Sequence, residues 1–163
     1  MLCEINTMDI HPDFKELLEL LNANHVEYLI VGGYALAFYG NPRFTGDLDL
    51  LVGTTPVNAH RIIDTLTAFG FASLGLAASD FEEEEQVVQL GVPPVRVDLI
   101  TSISGVTWEE AWSGRTEGRY DDVPVFFLGR AQFLVNKRST GRIKDLADLE
   151  LMGGAATMND ENL

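Results

Sequence analysis

One cysteine, Cys3, is all the chain offers, so no internal disulfide is possible and no cysteine-built zinc site can form. A reduced, cytoplasmic setting is the expectation. Histidine is scarce too: His11, His25 and His60 stand far apart, without metal-ligand spacing. Basic residues are few, 11 Lys plus Arg against 25 Asp plus Glu, for a formal net charge of −14. A surface of that sign repels nucleic acid and anionic lipid at long range, which disfavours both as partners unless a local basic patch intervenes. No apolar run approaches the roughly 18 residues of a membrane span. The opening MLCEINTMDIHPDF lacks a basic stretch followed by an apolar one and does not read as a secretion signal.

What is present suits one domain, assigned to residues 1–152, with 153–163 read as a flexible tail because GGAATMNDENL has no periodicity. Apolar residues make up 46% of the chain, enough for a core. Pro12 and the spacing of Phe14, Leu17, Leu18 and Leu21 predict a helix over 12–24. VEYLIVGG reads as a strand ending in a glycine pair, and YALAFYG as a short buried helix. GDLDLLVG is a second strand, with Leu48 and Leu50 on one side and Asp47 and Asp49 on the other. An amphipathic helix follows over 57–69. QVVQLG and VRVDLIT form a hairpin around Gly91-Val92-Pro93-Pro94, TWEEAW a short helix, and VPVFFLG a further strand. Helices over 129–138 and 142–152 finish the domain. This order predicts an α/β (α+β) domain with a mixed sheet flanked by helices and a helical C-terminus.

The chemistry concentrates in VGGYALAFYGNPRFTGDLDLLV. Asp47 and Asp49 point the same way from one strand, about 7 Å apart at Cα. Like charges side by side oppose strand stability, and a divalent cation removes the conflict. In VRVDLIT, Arg96 and Asp98 face away from Val95, Val97 and Leu99. A neighbouring placement would bring Asp98 to the same surface, a set able to hold two Mg²⁺ ions for phosphoryl or nucleotidyl transfer. Gly32 and Gly33, between strand and helix, let the backbone approach a phosphate. Arg43 and Thr45 are candidates for phosphate contact and loop ordering, with a plain turn role as the alternative. Lys137, Arg138, Arg142 and Lys144 gather positive charge, Lys137 being the preferred phosphate contact; the alternative is a helix end whose cations complement its dipole, with Lys144 and Asp148 paired. Asp145 and Asp148 read as structural, the Asp80–Glu85 run as a solvated loop, and Trp108, Trp112 and Tyr120 as packing.

Gly32-Gly33, Arg43-x-Thr45-x-Asp47-x-Asp49 and Val97-Asp98-Leu99 together resemble the nucleotidyltransferase (polymerase-beta-like) superfamily. The chain is similar in particular to small bacterial members of the abortive-infection toxin type and their relatives, and in size and motif to small antibiotic nucleotidyltransferases. NKRSTGRIKDLADLE resembles the Lys-Asp-x-x-Asp helix of the toxin-like group, and the likeness spans roughly 12–152. The resemblance implies a nucleotidyltransferase-type fold and transfer of a nucleoside monophosphate from a nucleoside triphosphate to an acceptor hydroxyl on a protein, a tRNA or a small molecule. It implies that Asp47, Asp49 and Asp98 ligate Mg²⁺, that Asp98 also helps deprotonate the acceptor, and that Gly32 and Gly33 approach the triphosphate. A protein partner such as an antitoxin is a further implication. Many members carry Gly-Ser where this chain has Gly32-Gly33, which weakens the phosphate grip. Two other readings compete: a catalytically weak nucleotide- or partner-binding module on the same fold, and a metal-dependent phosphohydrolase. The phosphohydrolase reading suffers because a glycine pair occupies the place of its nucleophilic Asp.

Overall fold

The computed structural model describes residues 10–40, 46–92 and 95–151. Six strands form one mixed sheet in the order β3-β4-β2-β1-β6-β5. They are β1 Tyr28–Val31, β2 Asp47–Val52, β3 Val87–Val92, β4 Val95–Ile100, β5 Thr116–Tyr120 and β6 Val123–Phe127. The two central contacts that matter most are β1 against β2, antiparallel, and β2 against β4, parallel. The β3–β4 hairpin is formed as expected, though its turn residues Pro93 and Pro94 lie outside the described residues.

The helices are α1 Pro12–Ala23, α2 Gly32–Phe38, α3 Pro56–Phe69, α4 Trp108–Ser113, α5 Arg130–Thr140 and α6 Ile143–Leu151. Proline opens α1 and α3, where a missing N–H is harmless. Thr55 caps α3 by accepting from the Asn58 N–H, and Gly70 ends it in the left-handed conformation. Phe14, Leu17, Leu18 and Leu21 of α1 are all buried, as their spacing requires. They meet the face of the sheet that carries Leu48, Leu50 and Val97. The opposite face carries the carboxylates and is closed at one side by α5 and α6. Among the described residues no helix is long and apolar enough to cross a membrane.

Asn58 ties the start of β1 to the end of β2. Only 2% exposed, it accepts from the Glu27 N–H at 2.7 Å and donates to the Glu27 and Gly53 carbonyls at 3.1 and 2.8 Å. Three backbone hydrogen bonds converge on this one amide, and a buried polar group left unmatched costs about 1–3 kcal/mol. Asn58→Ala is expected to lower unfolding free energy by about 2–3 kcal/mol in urea titration. A loss within ~0.5 kcal/mol would mean that water replaces the amide there.

Strand β5 was not expected. TEGRY lacks an apolar alternation, and its inward positions are Gly118 and Tyr120. Gly118 is small because Phe38 and Phe127, stacked 3.9 Å apart, press on it; an added Cβ would lie 2.6 Å from Phe38 Cε1. Asp121 and Asp122 join β5 to β6, with Asp121 at φ +56. Helix α5 also runs further than its periodicity indicates, through Ser139 and Thr140, and stops only at Gly141 with φ +64. The tail assigned to 153–163 lies outside the described residues.

Candidate active site

The site is built by register. Asp49 on β2 pairs with Val31 on one side and with Asp98 on the other, and Asp98 in turn pairs with Gln89 of β3. One row across the sheet therefore reads Gln89, Asp98, Asp49, Val31, with all side chains on one face. The next row places Asp47 beside Arg96. The three carboxylates that the sequence singled out do come to one surface.

The electrostatic strain is seen at Asp49. Burial is the main reason that Asp49 is pushed up to about 7; the neighbouring Asp98 and Asp47 add to it, and the cation Lys144 opposes it. Arg96 supplies positive charge from the side: its guanidinium lies 3.0 Å from Asp47 Oδ2 and 3.1 Å from Asp98 Oδ1. Arg96 had been assigned only a facing direction in the sequence; its bridging role depends on which strand lies alongside, which no local pattern reveals. Gln89, exposed and directly opposite Asp98, was likewise missed, because β3 gains its meaning only from its pairing with β4.

Gly32 sits against Asp49. Its φ is +68, and a Cβ built there would collide with Asp49 Oδ2. Gly32 and Gly33 line a cavity of about 510 Å³ together with Asp49, Lys137, Arg142 and Lys144. Backbone, carboxylate and cations thus share one space, of a size suited to a small ligand.

Lys137 reaches this cavity wall, but its ammonium is engaged. It lies 2.9 Å from Asp145 Oδ1 and 3.5 Å from Asp148 Oδ2, and both carboxylates are 1% exposed. The structural reading of Asp145 and Asp148 fits this arrangement. Burial alone would raise Asp145; hydrogen bonds from Thr140, Lys137 and Arg142 outweigh it and hold the carboxyl at about 2. This stabilising charge is present above the unfolded value near 3.8 and is lost as pH falls toward 2. Lys137→Met would remove the cation shared by two buried carboxylates, leaving Asp145 to Arg142 and Thr140, and unfolding free energy is expected to fall by about 3 kcal/mol. Denaturant titration of Lys137→Met beside Lys137→Met/Asp145→Asn checks it: the second variant should recover part of the loss. Lys144, rather than Lys137, is the cation whose charge is felt at Asp49.

Three carboxylates on one face are oxygen donors of the kind a hard cation takes, and one of them, Asp49, carries a pKa raised by burial and, after it, by the neighbouring Asp98 and Asp47. The space that a Cβ on Gly32 would fill lies directly at the Asp49 carboxylate. Among the described residues, no group of three or more such side chains is placed to hold a metal ion, and Arg96 occupies the side of Asp47 and Asp98. Arg43 and Thr45 lie outside the described residues.

No protein-family model matches the chain, and no curated protein matches it. Solved structures do. A candidate nucleotidyltransferase from Thermotoga maritima superposes with a TM-score of 0.53 over 93% of this chain and 96% of its own, at 13% sequence identity. An antigenic nucleotidyltransferase-like protein from Paracoccidioides brasiliensis covers 88% of this chain and 77% of its own, at 21% identity and a TM-score of 0.47. The first likeness, nearly end to end, defines the class: the fold is nucleotidyltransferase-like. A mixed sheet flanked by helices is the architecture the sequence led to, and β5 makes it six-stranded.

Proposed function

We propose that this protein is a Mg²⁺-dependent nucleotidyltransferase. The observation that carries the reading is the register pairing of Asp49 with Asp98 on adjacent parallel strands, beneath a left-handed Gly32. A row of like charges is unfavourable in a sheet and persists where function uses it. Asp47, Asp49 and Asp98 would hold Mg²⁺, which when bound neutralises the charge that develops on the transferred phosphoryl group. Gly32 and Gly33 would let the triphosphate approach the backbone, and Lys144 would meet its charge from α6. Arg96 would have to release Asp47 and Asp98 as the metal and nucleotide arrive.

The reaction conserves its parts. The acceptor hydroxyl oxygen bonds to the α-phosphorus, the bond from that phosphorus to its bridging oxygen breaks, and pyrophosphate leaves. The acceptor proton passes to Asp98, 8% exposed and positioned in the same row as Asp49. Asp98 can take that proton only after Arg96 moves aside. Positioning and charge neutralisation carry the rate.

A second reading has a specific observation in its favour. Arg96 satisfies Asp47 and Asp98 internally, and Lys137 is engaged by two carboxylates, so the domain could hold its shape as a partner-binding module without turnover. Incubation with Mg²⁺ and each α-³²P-labelled nucleoside triphosphate, with cell extract as the acceptor source, separates the two. Label that moves into protein, RNA or a small molecule, and is lost in Asp47→Ala/Asp49→Ala, supports the enzyme. No transfer, together with no calorimetric binding of Mg²⁺–nucleotide, makes the module the better account.

A further inference from the structure

The outer side of β3 is an open sheet edge. β3 stands first in the strand order, and among the described residues no strand pairs with it from outside. One hydrogen bond fixes the direction of its free groups. The Thr101 N–H donates to the Gln86 carbonyl at 3.0 Å, in register with the β3–β4 ladder. Bonded pairs alternate along an antiparallel ladder, so Val88 and Leu90 also turn their backbone groups toward β4. Val87 and Gln89 turn theirs outward, away from the sheet.

Exposed edges are commonly blunted by lysine, proline or an inward charge. The stretch from Gln86 to Leu90 has none of these. Val87 is 57% exposed, an apolar side chain beside unpaired backbone. The extended stretch is bounded on both sides: Glu85 before it has φ +62, and Gly91 after it has φ +79. Val88 is its centre.

We propose that β3 pairs with β3 of a second copy of this chain, antiparallel about a two-fold axis at Val88. Val87 of one copy faces Gln89 of the other, and the reverse, each as a doubly hydrogen-bonded pair. An axis at Val87 or Gln89 would call on Glu85 or Gly91, the residues that leave the extended conformation. At Val88 the two valines meet as a non-bonded pair, about 4.5 Å apart at Cα, on the face that carries Leu90.

Charge favours this occupant and this axis. Each chain carries −14, so a second copy can approach only where carboxylates stay apart or meet cations. About Val88 the two Glu85 residues lie roughly 20 Å from one another, beyond the screening length of about 8 Å at physiological salt. Glu85 of one copy falls opposite Gly91 of the other, whose partner on β4 is Arg96. Gly91 puts no side chain between them, so the row runs from a carboxylate to a guanidinium. The axis is perpendicular to the sheet, and both carboxylate faces open to the same side.

The test uses the full-length chain, with Cys3→Ser so that each introduced cysteine is alone. Under mild oxidation, Val88→Cys should form a covalent dimer, since its spacing lies within the span of a disulfide. Val92→Cys is the control: it is 75% exposed, which favours chance collision, yet its copies stand about 27 Å apart in the dimer. Cross-linking at 88 should be at least about 10-fold faster than at 92. In sedimentation equilibrium the parent mass should rise with concentration toward twice that of one chain. Val87→Pro removes an N–H that β4 does not use, so it should keep the parent's circular dichroism and stay monomeric. A parent that is monomeric at every concentration, equal cross-linking at 88 and 92, or a folded Val87→Pro that still dimerises overturns the proposal. The cross-linking comparison decides it even where Val87→Pro does not fold.

Discussion

Gly32→Ala is expected to unfold more easily by about 2–4 kcal/mol and to lose nucleotide binding. Two effects add. At φ +68 any side chain strains the backbone, which by itself costs about 1 kcal/mol. The new methyl also meets Asp49 Oδ2, the side chain that the sheet register holds in place, so either the α2 entrance or the carboxylate must move. Both lie in the proposed catalytic surface. Urea titration gives the stability change, and calorimetry with Mg²⁺–ATP gives the binding change. A variant that binds Mg²⁺–ATP as well as the parent would show that the close approach of Gly32 to Asp49 is only packing.

Asp49→Asn is expected to have the opposite effect on stability and the same effect on activity. The folded-state pKa of Asp49 is raised from 3.8 to about 7, so the folded protein holds this proton more tightly than the unfolded chain does. The ionised carboxylate therefore destabilises the fold; the penalty is absent below the unfolded value and complete above about pH 7. Its ceiling is about 4 kcal/mol, and solvent reaching a half-buried group brings the expected gain from asparagine to about 1–2 kcal/mol at pH 8. At pH 4 the two proteins should melt alike. Transfer activity should fall by at least about 10²-fold. Thermal melts at both pH values decide the stability half: a variant less stable than the parent at pH 8 would mean that Asp49 is stabilised by its surroundings. Mg²⁺ should raise the melting temperature of the parent at pH 8 and leave the asparagine protein where it is.

These opposed effects explain what could be read from the chain and what could not. Alternation put Asp47 and Asp49 on one face and Leu48 and Leu50 on the other, and that local rule holds without knowledge of neighbours. Asp98 was legible for the same reason, as a charge interrupting an apolar strand. Partnership was not legible. Arg96 between Asp47 and Asp98, Gln89 opposite Asp98, and Lys137 locked to Asp145 and Asp148 all depend on which strand or helix lies alongside. Lys137 drew attention as a cation in an acidic chain, yet its neighbours on α6 claim that charge first. Strand β5 escaped because glycine and tyrosine fill its inward positions, a pairing that makes sense only under the Phe38–Phe127 stack.

The parallel pairing of β2 with β4 has a consequence for how the chain acquires its shape. Between these strands lie α3, two 3-10 turns and β3, so Asp49 and Asp98 meet only after a long segment has closed on itself. Contacts of that kind form late and slowly, and here two carboxylates repel as they approach. The row that would do the chemistry is thus expected among the later contacts in folding. Neutralising it, by a drop in pH or by Asp49→Asn, should speed refolding only to the extent that β2 and β4 are already paired at the rate-limiting step.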